Sequence, residues 1–270
     1  MKIIRFICVN FNNWEYTKEF CESLLRQRGL GINFIIRCSV VDNSTDKQDS
    51  KNIHIYSSQY DWIDHIIAPS NLGYFGGLNY GLDRVKNGEG NFLVICNNDL
   101  KVDSEFCTRL FDRKYATNVF AVCPDVVTAD GFHQNPHSLN KIGWIRRFQF
   151  DLYFSHYYVA RLMSMILRVV RPVKVSPPQP VAGCEIHMGI GAIYVLTAEF
   201  LKRFNKLNFP HFLYGEEAYF SDQIHAAGGI LWFDPDLRVS HAESATLSKV
   251  PKRTAYEFAR SGYPSYRKML

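Results

Sequence analysis

Three short stretches, residues 3–9, 34–41 and 92–96, have the composition of buried strands, and each stops abruptly at a polar cluster. The clusters are Asn10-Phe11-Asn12, Asp42-Asn43-Ser44 and Asn97-Asn98-Asp99. The apolar run at residues 3–9 suits a strand covered on both faces, as in a parallel sheet. Between the runs the period changes. Residues 14–27 place Phe20, Cys21, Leu24 and Leu25 at helical spacing and stop near Gly29 and Gly31. Residues 54–56 and 66–68 read as short edge elements. The Gly-rich stretch 71–77 reads as a loop approaching a ligand, followed by a helix through Leu78, Leu82 and Val85. Strand, helix, strand, helix, strand predicts an α/β fold with a mixed, mostly parallel sheet and helices on both faces. Ligands of such sheets bind beyond the carboxyl ends of the strands. One polar cluster is ordinary turn chemistry; three on successive strand ends point to a site.

The second half is less regular. Residues 120–123 and 193–196 read as strands, and 214–227 as a helix with Glu216 and Glu217 at its start and Gly228-Gly229 at its end. Residues 230–233 read as a strand, Asp234-Pro235-Asp236 as a turn, and 237–240 as a lead into His241. With 47% hydrophobic and 21% charged residues in 270, disordered and collagen-like chains are excluded. The seven cysteines form no C-x-x-C pair, which argues against structural zinc and a disulfide framework and for a reducing cytoplasm. No run of 18 uncharged apolar residues and no signal-peptide pattern occur. The expectation is a cytoplasmic protein that is soluble or lies on a membrane surface.

Three chemical candidates stand out, each with a structural rival. Asp99, after a buried strand, suits a magnesium or manganese ion holding a diphosphate, or else it or Asp103 caps a helix. Glu216-Glu217 supplies either a general base with one raised pKa or a favourable pairing with a helix dipole. His241 is a metal ligand or a structural histidine. The Gly-rich stretch is neither G-x-G-x-x-G after a first strand nor a P-loop, which disfavours dehydrogenases and P-loop nucleotidases.

The ordered set of segments resembles the inverting, metal-dependent family 2 glycosyltransferases of the GT-A fold, in the rhamnosyltransferase-like branch. The matching segments are Val9-Asn10-Phe11-Asn12, Val40-Val41-Asp42-Asn43-Ser44-Thr45-Asp46 and Asn71-Leu72-Gly73-Tyr74 through Asn79-Tyr80-Gly81. They continue with Asn97-Asn98-Asp99 in place of D-x-D, Cys123-Pro124-Asp125 with Asp130-Gly131, and Gly189-Ile190-Gly191-Ala192. Phe212-Leu213-Tyr214-Gly215-Glu216-Glu217, Asp234-Pro235 and Ser240-His241 close the set.

The resemblance implies a nucleotide-diphosphate sugar donor, a UDP- or dTDP-sugar. Asp42 would accept from the pyrimidine N–H, with Asn10 and Asn12 lining the base pocket. Asn43, Asn71, Gly73, Asn79, Asn97 and Asn98 complete the candidate donor-binding set. Asp99 and His241 would hold the Mg2+ or Mn2+ ion that bridges the diphosphate. Glu217 takes the place of the family's catalytic Asp, with Glu216 as the rival base. The acceptor would be a glycan or a polyprenyl-diphosphate-linked glycan in bacterial surface polysaccharide assembly. A non-catalytic sugar-nucleotide-binding protein and a nucleotidyltransferase are the competing functions.

The expected organisation is one GT-A domain over residues 1–248, with a nucleotide-binding half (1–100), an acceptor half (101–248) and a helical tail (249–270). Residues 141–174 form an insert with seven basic residues and one acid, a net +6 against +5 for the whole chain. Trp144, Phe148, Phe150, Tyr153, Phe154, Tyr157 and Tyr158 interleave with these charges. Two readings are open: an interfacial helix on anionic lipid at the inner face of the plasma membrane, or aromatics packed on the domain with a solvated basic face. No nucleic-acid partner is expected.

Overall fold

In a computed structural model, residues 2–85, 92–170, 176–242 and 252–270 are described. The end of the insert and the expected boundary at residues 248–249 lie outside them. Four strands, β1 (Lys2–Asn10), β2 (Phe34–Asp42), β3 (Ile63–Ile67) and β4 (Phe92–Asn97), form a parallel block in the order β3-β2-β1-β4. The sheet continues through β8 (Ile193–Leu196), β6 (Val119–Thr128), β9 (Ile230–His241) and β5 (Leu100–Val102), and β7 (Cys184–Ile186) pairs with β9. β8 runs antiparallel to β4 and β6, whereas β6 and β9 are parallel to each other.

Alternation along β1 explains why the sheet is covered on both sides. Ile4, Phe6 and Cys8 enter one core with Phe20 and Leu24 of α1 (Trp14–Leu25), Ile53 of α2 (Lys47–Ser57) and Phe106 of α4 (Phe106–Asp112). Ile7 and Val9 enter the other core with Leu78 of α3 (Tyr74–Leu82), Phe200 of α7 (Ala198–Arg203) and Phe220 of α8 (Glu216–Ala226). A third cluster joins Ala218 of α8 to Tyr263 and Tyr266 of α9 (Lys252–Tyr266), with Phe150 of α5 (Trp144–Ser155) packed against it. The helix α6 (Tyr157–Val170) follows α5 and packs beside it.

Three local readings change. Residues 54–56 lie inside α2, not in a strand, because the Asp46 side chain caps the helix at Gln48 N and Ile53 and Tyr56 bury one face. The Gly-rich loop ends at Gly73, and the remaining glycines belong to α3. A Cβ on Gly77 would come within 2.9 Å of Val9, and one on Gly81 within 2.6 Å of Ile7 and 2.8 Å of Val41. Those glycines let a helix approach the sheet rather than a ligand. Asp234-Pro235-Asp236 is no turn: β9 runs through it, with a register shift opposite Pro124 and Asp125.

Candidate active site

The parallel strands β1, β2 and β4 deliver their polar ends to one edge, and β9 returns to the same edge from the far side of the sheet. The register pairs Leu100 with His241, so Asp99 and His241 meet although 142 residues separate them. The Ala242 N–H donates to the Asp99 carbonyl at 3.0 Å and fixes that junction. Asp99 Oδ1 lies 3.2 Å from His241 Nε2 yet has no hydrogen-bond partner, although it is buried. His241 Nδ1 is 2.7 Å from Gln134 Oε1. That contact takes a proton on Nδ1, and in this tautomer the lone pair of Nε2 faces Asp99. Two electron-rich atoms facing each other in a buried place invite a cation. Asn97 Nδ2, 3.5 Å from His241 Nε2, is the neighbouring amide.

These residues fit a hard divalent ion that retains open positions. Among the described residues no group of three or more His, Cys, Asp or Glu could hold a metal alone. Asp99 and His241 would therefore supply two protein ligands to such an ion.

Both groups open into a cleft of about 470 Å3, also lined by Phe11, Asn43, Asn71, Gly73, Asn97, Asn98, Glu216 and Glu217. Nine of the thirteen candidate residues thus share one cavity. Gly73, at φ 74°, turns the chain into α3 where a Cβ would overlap the Phe212 carbonyl. Asn43 donates to the Gly73 carbonyl at 2.9 Å, and its buried Oδ1 has no hydrogen-bond partner.

The other four candidates lie outside the cleft wall. Asn10 is fully buried and donates to Ser44 Oγ and Asp49 Oδ2, both at 2.7 Å. It accepts from Thr17 at 2.9 Å and from Asn98 at 3.0 Å. The expectation that it lines the base pocket gives way to a different position: Asn10 is the hub that ties the ends of β1, β2 and β4 together. Asn12, at φ 54°, accepts from the N–H groups of Thr45 and Asp46 at 3.0 Å each and clamps the loop after β2. Asn79 faces the second half, exchanging hydrogen bonds with the Leu207 backbone at 2.9 and 2.7 Å. Asp42 is buried, with Oδ2 3.1 Å from His65 Nε2 and Oδ1 accepting from Ser44 N at 3.0 Å. Burial raises its pKa, but hydrogen bonds from His65 and Ser44 outweigh it and hold Asp42 well below the usual carboxylate range.

Glu216 and Glu217 sit in the first turn of α8, whose preceding Gly215 takes φ 102° beneath the ring of Tyr266. Burial first, and then the Glu217 charge, push the Glu216 carboxyl up to about 8. Glu217 Oε1 accepts from the Gly191 N–H at 3.2 Å, and Tyr74 Oη donates to the Gly191 carbonyl at 2.8 Å. The Gly191 peptide therefore orients one carboxylate of the pair.

Sequence reasoning did not single out Gln134 or Phe258, which line the cavity, or His65, which bonds to the buried Asp42. Phe258 of α9 lines the cavity and meets Phe212 with ring centroids 5.8 Å apart. No local signal marks them; each acts through a partner distant in sequence.

At one edge of the α/β sheet the strand ends thus gather an asparagine-rich pocket, a carboxylate–imidazole pair and two adjacent glutamates. The chain belongs to glycosyl transferase family 2, whose sequence model matches residues 6–171. Similar solved structures include GalNAc-T7 with UDP, GalNAc and Mn2+, at a TM-score of 0.62 and 14% identity over 91% of this chain and 45% of that one. TarS of S. aureus is also similar, at a TM-score of 0.55 and 14% identity over 90% of this chain and 37% of that one. The chain thus spans less than half the length of either, and at this identity the likeness shows the fold alone. No curated protein matches the sequence.

Proposed function

We propose that the protein is an inverting, divalent-metal-dependent transferase of the rhamnosyl- or hexosyltransferase kind. It would move a sugar from a UDP- or dTDP-sugar to a hydroxyl of a glycan or polyprenyl-diphosphate-linked acceptor in bacterial surface polysaccharide assembly. On this reading it is one GT-A domain with a helical tail, working at the inner face of the plasma membrane. The observation that carries the proposal is that Asp99 Oδ1, which has no hydrogen-bond partner, meets His241 Nε2 at 3.2 Å on the cavity that holds Glu216 and Glu217. The GalNAc-T7 structure, with its UDP and Mn2+, agrees with this cofactor chemistry.

When bound, the ion would neutralise charge developing on the leaving diphosphate. Asp99 and His241 would hold it, with Gln134 fixing the imidazole tautomer. Glu217, oriented by the Gly191 N–H, would take the proton of the acceptor hydroxyl as its oxygen attacks the anomeric carbon. The new glycosidic C–O bond forms as the anomeric C–O bond to phosphate breaks on the opposite side, hence the inversion. Glu216, with its raised pKa, would retain its proton at neutral pH beside it. Asn10, Asn12 and Asp42 shape the pocket from behind. The test is turnover of a panel of nucleotide sugars with and without manganese. Asp99→Ala should abolish manganese-stimulated turnover, and Glu217→Gln should lower it by about a hundredfold or more. Wild-type turnover in Asp99→Ala refutes the metal site; loss in Glu216→Gln with none in Glu217→Gln moves the base to Glu216.

A further inference from the structure

The α5–α6 hairpin is apolar on more sides than the fold covers. Phe154 and Phe150 of α5 face α9, with ring centroids 4.5 and 6.5 Å from that of Tyr263, and Tyr153 meets Tyr256 at 5.8 Å. The opposite stripe of α5 carries Trp144, Phe148 and Leu152 at four-residue spacing, and they are 78, 63 and 44% exposed. α6 repeats the arrangement: Ala160 is buried, while Leu162, Met165 and Ile166 are 59, 57 and 53% exposed. Isolated exposed apolar residues are ordinary on a protein surface, but a stripe continued over two adjacent helices marks a contact surface.

The charge says what kind of contact. Residues 141–174 carry seven basic residues and a single acid. That acid, Asp151, is already engaged by Arg267 and by the Tyr263 hydroxyl of α9. Arg161 stands exposed on α6, and Arg146 stands exposed on α5 with its guanidinium 5.0 Å over the Phe150 ring, at the edge of the apolar face. A second copy of the chain would bring one basic segment against its own twin, because a twofold interface apposes the same patch. An anionic lipid surface instead receives the apolar side chains below its headgroups and pairs the arginines with phosphate. Among the described residues no helix is long and apolar enough to cross a membrane, so the contact lies along the surface.

The position also bears on the cavity. α9, on which both hairpin helices pack, contributes Phe258 to the cavity wall. We infer that the outer face of the α5–α6 hairpin docks on anionic bilayers and holds the cavity beside the headgroups, where a lipid-diphosphate-linked acceptor can enter. The choice of acceptor rests on the transferase reading; the docking itself does not.

Flotation of the full chain with vesicles tests the docking. Vesicles of phosphatidylcholine containing about a third phosphatidylglycerol should bind the protein about tenfold more than phosphatidylcholine alone, and added salt should weaken the binding. Trp144→Ser, Phe148→Ser and Leu162→Ser combined should remove most of it. Arg146→Glu with Arg161→Glu, which spares the apolar stripe, should remove the preference for anionic lipid. The thermal unfolding midpoint of each variant reports on folding. Absence of flotation at low salt, or equal binding to neutral vesicles, overturns the inference. So does a dimer in sedimentation that the triple variant dissolves, which assigns the face to a second copy. Vesicle binding without turnover of any nucleotide sugar leaves the docking standing and defeats the transferase reading.

Discussion

Replacing Glu216 with Gln isolates the effect of burying a carboxyl beside another. Glu216 is 7% exposed, and burial followed by the Glu217 charge raises its pKa from 4.5 to about 8. In the fold it therefore keeps its proton through neutral pH, whereas the unfolded chain releases that proton above 4.5. The folded state binds more protons in this window, so the stabilisation is complete below 4.5 and is lost as pH rises through about 8. The gap between 4.5 and about 8, at about 1.4 kcal/mol per pH unit, gives a loss on the order of 4–5 kcal/mol. Glu216→Gln has no proton to lose. Thermal unfolding in steps from acid to alkaline pH should show the two proteins nearly equal at about pH 5 and the variant about 10 °C more stable at about pH 9. Parallel curves with a constant offset would refute the raised pKa and the burial argument beneath it. Glu217→Gln, which removes the facing charge, should move the wild-type midpoint to lower pH.

Two further predictions probe what surrounds the cavity. His65→Ala removes the ring 3.1 Å from Asp42 and should destabilise the protein by about 1–3 kcal/mol in urea titrations at neutral pH. Because the Asp42 pKa is depressed from 3.8, that difference should be present above this value and shrink as pH falls below it. Gly81→Ala gains about 1 kcal/mol of helix propensity but places its Cβ 2.6 Å from Ile7 and 2.8 Å from Val41. The overlap should dominate and leave a net loss of about 1–2 kcal/mol in the denaturation midpoint; a stabilised variant would show that α3 can lift from the sheet.

The strands that carry the pocket were legible because each is buried on both faces and announces itself by composition alone. β1, β2 and β4 fall where the apolar runs place them, give or take two residues. α2 was not, because its buried face rests on few residues, Asp49, Ile53, Tyr56 and Ser57, while Ile55 beside them is 49% exposed. The interruption at Asp234-Pro235-Asp236 reads as a turn in isolation, but β9 pairs with β6 on both sides of it, up to Asp234 and again from Arg238. In the pocket, the residue types were visible but not their directions. Asn79 stands in the Gly-rich motif, yet its amide holds the Leu207 backbone.

By itself the sequence determined the parallel half of the sheet, the edge where its polar ends collect, and, through the family's motifs, the residues that gather there. Periodicity and strand ends are local properties, set by which side chains leave water within a few residues of one another. The tertiary structure alone decided which polar groups face the cavity and which face their neighbours. Asn10 became a hub because three strand ends converge on it, and Asp99 meets His241 because β5 and β9 pair in one register. It also decided that α9 closes one wall and that the hairpin above it keeps an apolar face open. Hydrogen-bond partners and burial at such points are set by residues far apart in the chain, and no local pattern records them.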